Sequence, residues 1–400
     1  MNFFRMLLAL LLLALVAACK TAEPAGEDNR YSNGQVKAKG KKEGEMRVGP
    51  WEEYYETGKV RTKGLYSNGM KDGEWTTFSE TGTVQIKVQW AAGRHNGLFV
   101  SFHENGATNL VVPKKNGREE GLSKQYFPSG KLQTEGGYTN GVRQGPWSSF
   151  YESGMPVEKG PYEGGLRQGL WEIYRGGTLK EKITFVTNIT NGAYISYHSN
   201  GQTERTVGIV NNLKEGPEST FFPDGKKRTI GGYTGGLKSG IWEAYSAGGY
   251  LVEKGPYNFD KRDGVFETYH PNGKVYSRGN YVTGKKSGVF DYFDDQGRMT
   301  MQLSSQGMTY RGLMVLYKNG KKFKEFNVGI AAFEEKEMFV GDQVKEGNLK
   351  GPYIEYAPDG TTKMIEGSYS SMGKDGTWTY RDASGKEIRK EIWKSGEKKE

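Results

Sequence analysis

The sequence predicts an all-β fold, an elongated single-sheet antiparallel β-hairpin solenoid of about fourteen 24-residue repeats. Three observations lead there: glycines recurring at a fixed interval, an aromatic residue at a fixed offset from each, and a composition rich in rings and glycine but thin in aliphatics. Of 400 residues, 59 are Gly and 13% are aromatic. Gly is about twice its average share. A disordered chain would be poor in aromatics, and several conventional cores would need more Leu, Ile and Val. The fold must therefore bury rings while tolerating a Gly every few residues.

The glycines set the repeat. They open similar segments at Gly49, Gly73, Gly97, Gly121, Gly145, Gly169, Gly192, Gly216, Gly240, Gly264, Gly288 and Gly312, every interval being 24 residues except one of 23. Register returns at Gly351 and Gly376, and Asn33-Gly34 with Gly40 mark a degenerate unit ahead of Gly49. Tyr or Phe stands five residues after the opening Gly in all thirteen units from Gly49 to Gly351, from Tyr54 and Phe78 to Tyr317 and Tyr356. A period of this length marks one supersecondary unit stacked on its neighbours.

Each unit reads as a hairpin. Phe127-Pro128-Ser129-Gly130, Phe222-Pro223-Asp224-Gly225, His270-Pro271-Asn272-Gly273 and Ala357-Pro358-Asp359-Gly360 place Pro second and Gly fourth. That suits a type I turn followed by a left-handed Gly, a three-residue hairpin with a bulge. The second strands alternate: Val84, Ile86, Val88 and Trp90 share a face, as do Leu132, Thr134, Gly136 and Tyr138. Asn68-Gly69, Asn140-Gly141 and Gly235-Gly236 then favour a tight turn into the next unit. Tight turns at both ends of every strand make a meander. Gly64, Gly136, Gly160, Gly231, Gly255 and Gly279 sit inside strands, where Gly is weakening. The expectation is that neighbouring rings lie flat over the bare backbone there, so that stacked rings supply a core one sheet thick.

The domain reading is 1–18 signal peptide, 19–30 lipidated Cys and tether, 31–325 repeat array, 326–350 irregular insertion, and 351–400 final repeats and cap. Met6–Ala18 is a thirteen-residue apolar run, too short to span a bilayer comfortably, and reads as a signal-peptide core. Val16-Ala17-Ala18-Cys19 resembles the bacterial lipobox, and the one Cys of the chain stands at its end. That resemblance implies acyl chains such as palmitate on Cys19 and a place in the bacterial cell envelope. Lys20, where enterobacterial sorting reads Asp as an inner-membrane signal, favours the outer membrane. A lone Cys excludes a disulfide within the chain and a CxxC site. Gly312 to Gly351 is 39 residues, and within the insertion Ala331–Phe339 suits a short helix or an ordered loop.

Catalytic chemistry is not legible. His103, His198 and His270 stand six residues after an opening Gly, where other units place Tyr55, Phe127 or Phe222. They read as substituted turn aromatics, too far apart to share a metal, and His95 lies alone in a linking turn. Gly136–Gly141 and Gly231–Gly236 imitate phosphate loops but stand between strands, whereas such loops join a strand to a helix. No converging pair of carboxylates and no Gly-x-Ser-x-Gly elbow with a His partner is evident. The chain is expected to be no enzyme, with no cofactor and no metal.

Two patterned surfaces remain. Lys71, Arg143, Arg167, Lys214, Lys238, Arg262, Lys286 and Lys374 stand two residues before an opening Gly, with Arg94 and Arg118 one position earlier. In a stack they form a basic ladder along a rim. It either keeps a long sheet soluble or meets anionic lipid or an anionic envelope polymer. Nucleic acid is not expected outside the cytoplasm. Trp51, Trp75, Trp147, Trp171, Trp242 and Trp378 recur two residues after the opening Gly, as packing residues or as the floor of an open groove.

Tyr-x-x-Gly and Gly-x-Trp at this spacing resemble MORN repeats. More closely they resemble the bacterial 24-residue MORN-variant units of lipoproteins and of proteins labelled antitoxin-like, over about residues 30–396. The resemblance implies a hairpin solenoid that serves as a scaffold or binding surface for a protein partner, with no activity of its own. The antitoxin-like label implies an alternative, an immunity protein that sequesters a toxin.

Overall fold

The backbone conformation that each turn demands is the one its residues supply. In Phe127–Lys131, Gly130 N donates to Phe127 O at 2.8 Å, Phe127 N donates to Lys131 O at 2.8 Å, and Gly130 has φ +81°. This is the three-residue loop with a left-handed Gly. At the other end of the strands Asn68 (φ +49°) and Gly69 (φ +77°) are both left-handed, as a type I′ turn requires. These turns fold the chain back on itself at both ends of every strand.

The computed structural model describes residues 29–305, 311–329, 339–340, 343–344 and 349–399. The signal segment 1–18 and Cys19 lie outside the described residues, as does the tether up to residue 28. The chain divides into two units, Met1–Ile189 and Thr190–Glu400. In the first, a meander runs from strand Ala38–Glu43 to strand Thr178–Val186, each strand antiparallel to its neighbours in the chain. The second repeats this from Thr203–Val210 to Glu387–Lys394. Among the described residues all regular structure is β apart from a single 3₁₀ position at Asn29, and neither sheet closes into a barrel.

A register shift recurs at the same place in most linking hairpins. Gly136 pairs with Trp147 but Gly137 pairs with Gln144, so two residues of one strand oppose none on the other. The opening Gly145 sits in this bulge with φ +74°, a conformation that side chains with a Cβ rarely adopt.

The insertion keeps the sheet intact. Strand Lys321–Gly329 continues the pattern, and Leu349–Tyr356 resumes it: Phe326 pairs with Tyr353 and Val328 with Leu349. The excursion therefore leaves from a linking turn and returns to the same place. Of Ala331–Phe339, only Phe339 is among the described residues. Phe339–Val340 pairs with Gln343–Val344 as a minimal hairpin. Around this excursion aliphatics take over from rings, and Leu303, Met314 and Val328 are fully buried with Phe326 and Trp378.

Candidate functional site

The two faces of the sheet have different chemistry. One face, here the ring face, begins from the strand glycines. An ideal Cβ on Gly160 would stand 2.2 Å from Trp171 Cδ2, and one on Gly136 would stand 2.0 Å from Trp147 Cδ2. The same clash holds for Gly64 with Trp75, Gly231 with Trp242, Gly367 with Trp378 and Gly279 with Phe290. Each ring belongs to the unit after the glycine, so rings do lie on bare backbone. The bulge adds a second contact. There the indole N–H donates to the carbonyl after the glycine: Trp171 Nε1 to Pro161 O at 3.1 Å, beside the backbone bond that Pro161 O accepts from Gln168 N at 3.0 Å, and Trp75 Nε1 to Leu65 O at 2.9 Å. Trp51 Nε1 is the exception, buried without a hydrogen-bond partner.

Tyrosines wedge between the indoles edge-on. Tyr162 lies 5.8 Å from Trp147 and 5.2 Å from Trp171 with interplanar angles of 74° and 86°. Such T-shaped pairs add stability beyond their buried area. Trp171 and Trp378 are each only 1% exposed, although the sheet is a single layer. Trp75, Trp171, Trp242 and Trp378 are therefore packing residues and not the floor of an open groove, whereas Trp147 is half-buried.

What closes the ring face from above is the basic ladder. Lys71 Nζ lies 4.0 Å from the Trp75 ring centroid, Arg143 4.5 Å from Trp147, Arg167 4.2 Å from Trp171 and Lys238 4.2 Å from Trp242. Lys214 covers Tyr233 at 4.5 Å, Arg262 covers Phe266 at 4.9 Å, Lys286 covers Phe290 at 4.9 Å and Lys374 covers Trp378 at 4.2 Å. The ladder expected along a rim thus exists, but over the rings. The reason is alternation: residues two before and two after the opening Gly share a face. Carboxylates hold several of these cations. Arg167 Nη2 donates to both Glu158 oxygens at 3.0 and 2.8 Å, and Arg262 Nη2 to both Glu253 oxygens at 2.8 and 2.7 Å. Burial pushes the Lys71 ammonium below its ordinary value, against the pull of Glu53. Arg94 and Arg118, one position earlier, are exposed.

Hydrogen bonds tie several units to the next at both edges. At the hairpin turns, Tyr55 Oη donates to Phe78 O at 2.6 Å, 23 residues on. His103 Nε2 makes the same bond to Tyr126 O at 2.9 Å, His198 Nε2 to Phe221 O at 2.8 Å and His270 Nε2 to Phe293 O at 2.9 Å. A carbonyl only accepts, so each of these Nε2 atoms carries the proton. Asn105 Nδ2 adds a bond to Pro128 O at 2.8 Å. At the linking turns, Gln144 Oε1 accepts from Gly164 N at 3.0 Å and Glu215 Oε2 from Gly235 N at 2.7 Å. His95 instead packs edge-on against Trp90 at 4.1 Å, and burial lowers its pKa. Among the described residues no three His, Cys, Asp or Glu converge as metal ligands.

The reverse face carries three rows. The first is aromatic: Tyr174 Oη donates to Glu172 Oε2 at 2.7 Å, Tyr245 to Glu243 at 2.6 Å and Tyr269 to Glu267 at 2.6 Å. The hydroxyls of Tyr174 and Tyr269 are pushed up to about 12, first by burial and then by the carboxylate. That of Tyr245 is pushed up to about 12 as well, first by the carboxylate. The same bonds hold Glu172, Glu243 and Glu267 below their ordinary values. The second row is ionic, with Lys182 3.3 Å from Glu172 and Lys254 3.0 Å from Glu243. The third is apolar and half-exposed: Leu98, Leu122 and Leu170 in the first unit, Ile241, Val265 and Val289 in the second. A shallow groove of about 420 Å³ lies near Pro50, Glu52, Lys63 and Leu65, with Trp51 and Gly64 also in its lining.

Periodicity alone does not mark the reverse-face rows as a surface. Their signal is present all the same: the residue directly after the opening Gly is Leu, Ile, Val or Pro in most units.

Comparison with known proteins agrees with the geometry. Residues 47–68, 71–91, 119–140, 143–163 and 262–283 match the family model described as MORN repeat variant. These five segments fall on hairpins of the array, so the chain carries MORN-variant repeats in an open antiparallel sheet. No curated protein matches the chain. Among solved structures, TcdB2-TccC3 without its hypervariable C-terminal region is 12% identical over 88% of this chain and 23% of that chain, with a TM-score of 0.17. The TcdB2-TccC3-Cdc42 structure is 9% identical over 87% and 26%, with a TM-score of 0.14. A Photorhabdus luminescens Tc holotoxin pore is 10% identical over 87% and 20%, also at 0.14. The chain spans about a quarter of the length of these proteins or less, and overlap at this level says nothing about its role.

Proposed function

We propose that this array of MORN-variant repeats is a non-enzymatic scaffold, tied to a bacterial envelope membrane by lipid on Cys19, and that its reverse face binds protein partners. One observation supports it above others. The ring face is closed by its own cations, whereas the reverse face repeats half-exposed apolar side chains at a fixed spacing. A surface that repeats is suited to an extended partner. The lipid rests on Val16-Ala17-Ala18-Cys19. Two or more acyl chains give stable anchoring, since each buried CH₂ contributes ~0.8 kcal/mol. Lys20 points to the outer membrane. Anionic lipid or envelope polymer meets Arg94 and Arg118, whose charges are not committed to a Trp ring.

The test has two arms. Cys19→Ala is expected to lose labelled fatty acid and to move from the membrane to the soluble fraction. Crosslinked co-purification from intact membranes, with partners identified by mass, is expected to yield a protein whose crosslinks vanish in Leu170→Lys. Crosslinks that survive reverse-face charge would sink the scaffold face. Rescue from a neighbouring toxin by the intact chain would instead mark the immunity role implied by the family label.

A further inference from the structure

The third row of the reverse face is more specific than an exposed apolar patch. In the first unit Leu98 pairs with Pro113, Leu122 with Gly137 and Pro146 with Pro161, and Leu170 follows. These seven positions stand side by side across seven neighbouring strands, and none carries a charge. Leu98 is 49% exposed, Leu122 52% and Leu170 49%. The prolines are rigid. Pro113 and Pro161 lean on the bulged glycines of the next units, close enough that a Cβ on Gly169 would stand 3.4 Å from the Pro161 ring. The track is bordered on one side by the ionic row, where Lys124 lies 3.7 Å from Glu135.

Three physical limits narrow the occupant. First, charge: a track without charge beside an ionic row accepts an uncharged segment and disfavours a charged one. Second, area: half of a few aliphatic side chains with three prolines amounts to a strip of the order of 300 Å². A stable protein pair buries about 1,600 Å², so a second copy of this chain is too large a partner for so narrow a strip. Third, hydrogen bonding: backbone groups of the sheet are spent in its ladders and point along the sheet plane. A strand or loop laid on the face would find no backbone donors there. A polyproline II segment needs none, because its backbone stays solvated.

The periods also agree. Two strands per repeat at about 4.8 Å give a step of about 9.6 Å. A polyproline II helix has three residues per turn and rises about 3.1 Å per residue, so one side recurs every ~9.3 Å. One proline in three then meets the same apolar position in successive repeats. We infer that Leu98, Pro113, Leu122, Pro146, Pro161 and Leu170 form a docking track for an uncharged, proline-rich segment in the polyproline II conformation. This rests on the reading of the reverse face as a binding surface and names the chemistry of its partner.

The probe is a synthetic ten-residue oligoproline, titrated into the full chain and followed by calorimetry. A Gly-Ser peptide of equal length, an amphipathic helical peptide and anionic lipid vesicles serve as comparisons. Oligoproline is expected to bind, and the Gly-Ser peptide is expected to fail. The triple variant Leu98→Ser, Leu122→Ser, Leu170→Ser is expected to weaken oligoproline at least tenfold. A circular dichroism melt checks that the variant is folded. Should the triple variant destabilise the sheet, Leu122→Lys alone carries the same expected loss. Oligoproline binding equally to wild type and variants, or failing to bind wild type, overturns the track. So does tighter binding of the helical peptide or of vesicles, or self-association in sedimentation that Leu122→Lys abolishes. A partner crosslinked through Leu170 while oligoproline fails would sink only the polyproline chemistry and leave the scaffold standing.

Discussion

Gly160 and Trp171 fit one another: the indole lies where the glycine's Cβ would be, and its N–H reaches the carbonyl of Pro161, the residue after the glycine. The relationship is a rule of the chain. Every Trp two residues past an opening Gly lies eleven residues after a strand Gly, and where the strand residue is Val88, Val112 or Val207, position eleven on is Phe99, Ser123 or Glu218. Gly160→Ala is therefore expected to destabilise by ~1–3 kcal/mol through overpacking, and Trp171→Ser by ~3–5 kcal/mol. Gly160→Val with Trp171→Ser reproduces the Val112/Ser123 pair. A double-mutant cycle by urea unfolding is expected to give at least ~1 kcal/mol of favourable coupling. Additive losses would break the rule.

The cations over the rings contribute separately. Lys71→Met keeps the apolar stem and removes the charge from above Trp75 and Trp90. A loss of ~1 kcal/mol is expected from the cation–π contact, read as a lower melting temperature. A melt equal to wild type would return Lys71 to the role of a solubilising surface charge.

Alkaline titration reports the reverse face. Tyr54, Tyr174, Tyr245, Tyr269 and Tyr356 are each pushed up to about 12, from an ordinary value of about 10. Folding favours their protonated form, so their contribution is complete below the unfolded value and is lost as pH rises from about 10 through about 12. Phenolate absorbance is expected to show a late-titrating group of tyrosines that merges with the rest on unfolding. Glu172→Gln should bring Tyr174 down.

At the acid end the group to watch is Glu391. Hydrogen bonds from Lys398 first, then Tyr380 and Trp393, hold its carboxyl down to about 2 from 4.5. Its pKa is depressed in the folded state, so its contribution is present above 4.5 and fades as pH falls toward 2. Glu391→Gln is expected to flatten the pH dependence of stability over that window, and an unchanged slope would count against the assignment.

The turn latches should be individually modest. Asn105→Ala removes the bond to Pro128 O and the one its Oδ1 accepts from Ala107 N at 3.0 Å, for an expected cost of ~1 kcal/mol. Hydrogen exchange should quicken at Ala107 and in the loop around Pro128, and should not change several repeats away.

The fold was legible because its signals are local. Pro-Ser-Gly and Asn-Gly fix two turn types, and the opening glycines fix the period. The rings over strand glycines were legible too, because Gly136 and Gly160 share a phase that only a close neighbour explains. The basic ladder reads as a rim from sequence because Lys71 and Arg143 sit next to a turn. Counting by twos from Trp75 back through Gly73 to Lys71 puts all three on one face, as the structure does. The reverse-face track was hidden for a different reason: Leu98 and Leu122 look like core residues until the rings are seen to occupy the other side.

The excursion that departs after Gly329 and rejoins the array at Leu349 shows what the linking edge tolerates. Val328 and Leu349 lie in register although the chain between them has been lengthened. Loop length costs little once the ends are pinned, roughly 0.6 kcal/mol per doubling. Any linking turn along the array is thus a splice point, where new sequence of unrelated shape can be accepted by evolution or by an engineer without renumbering the rungs on either side.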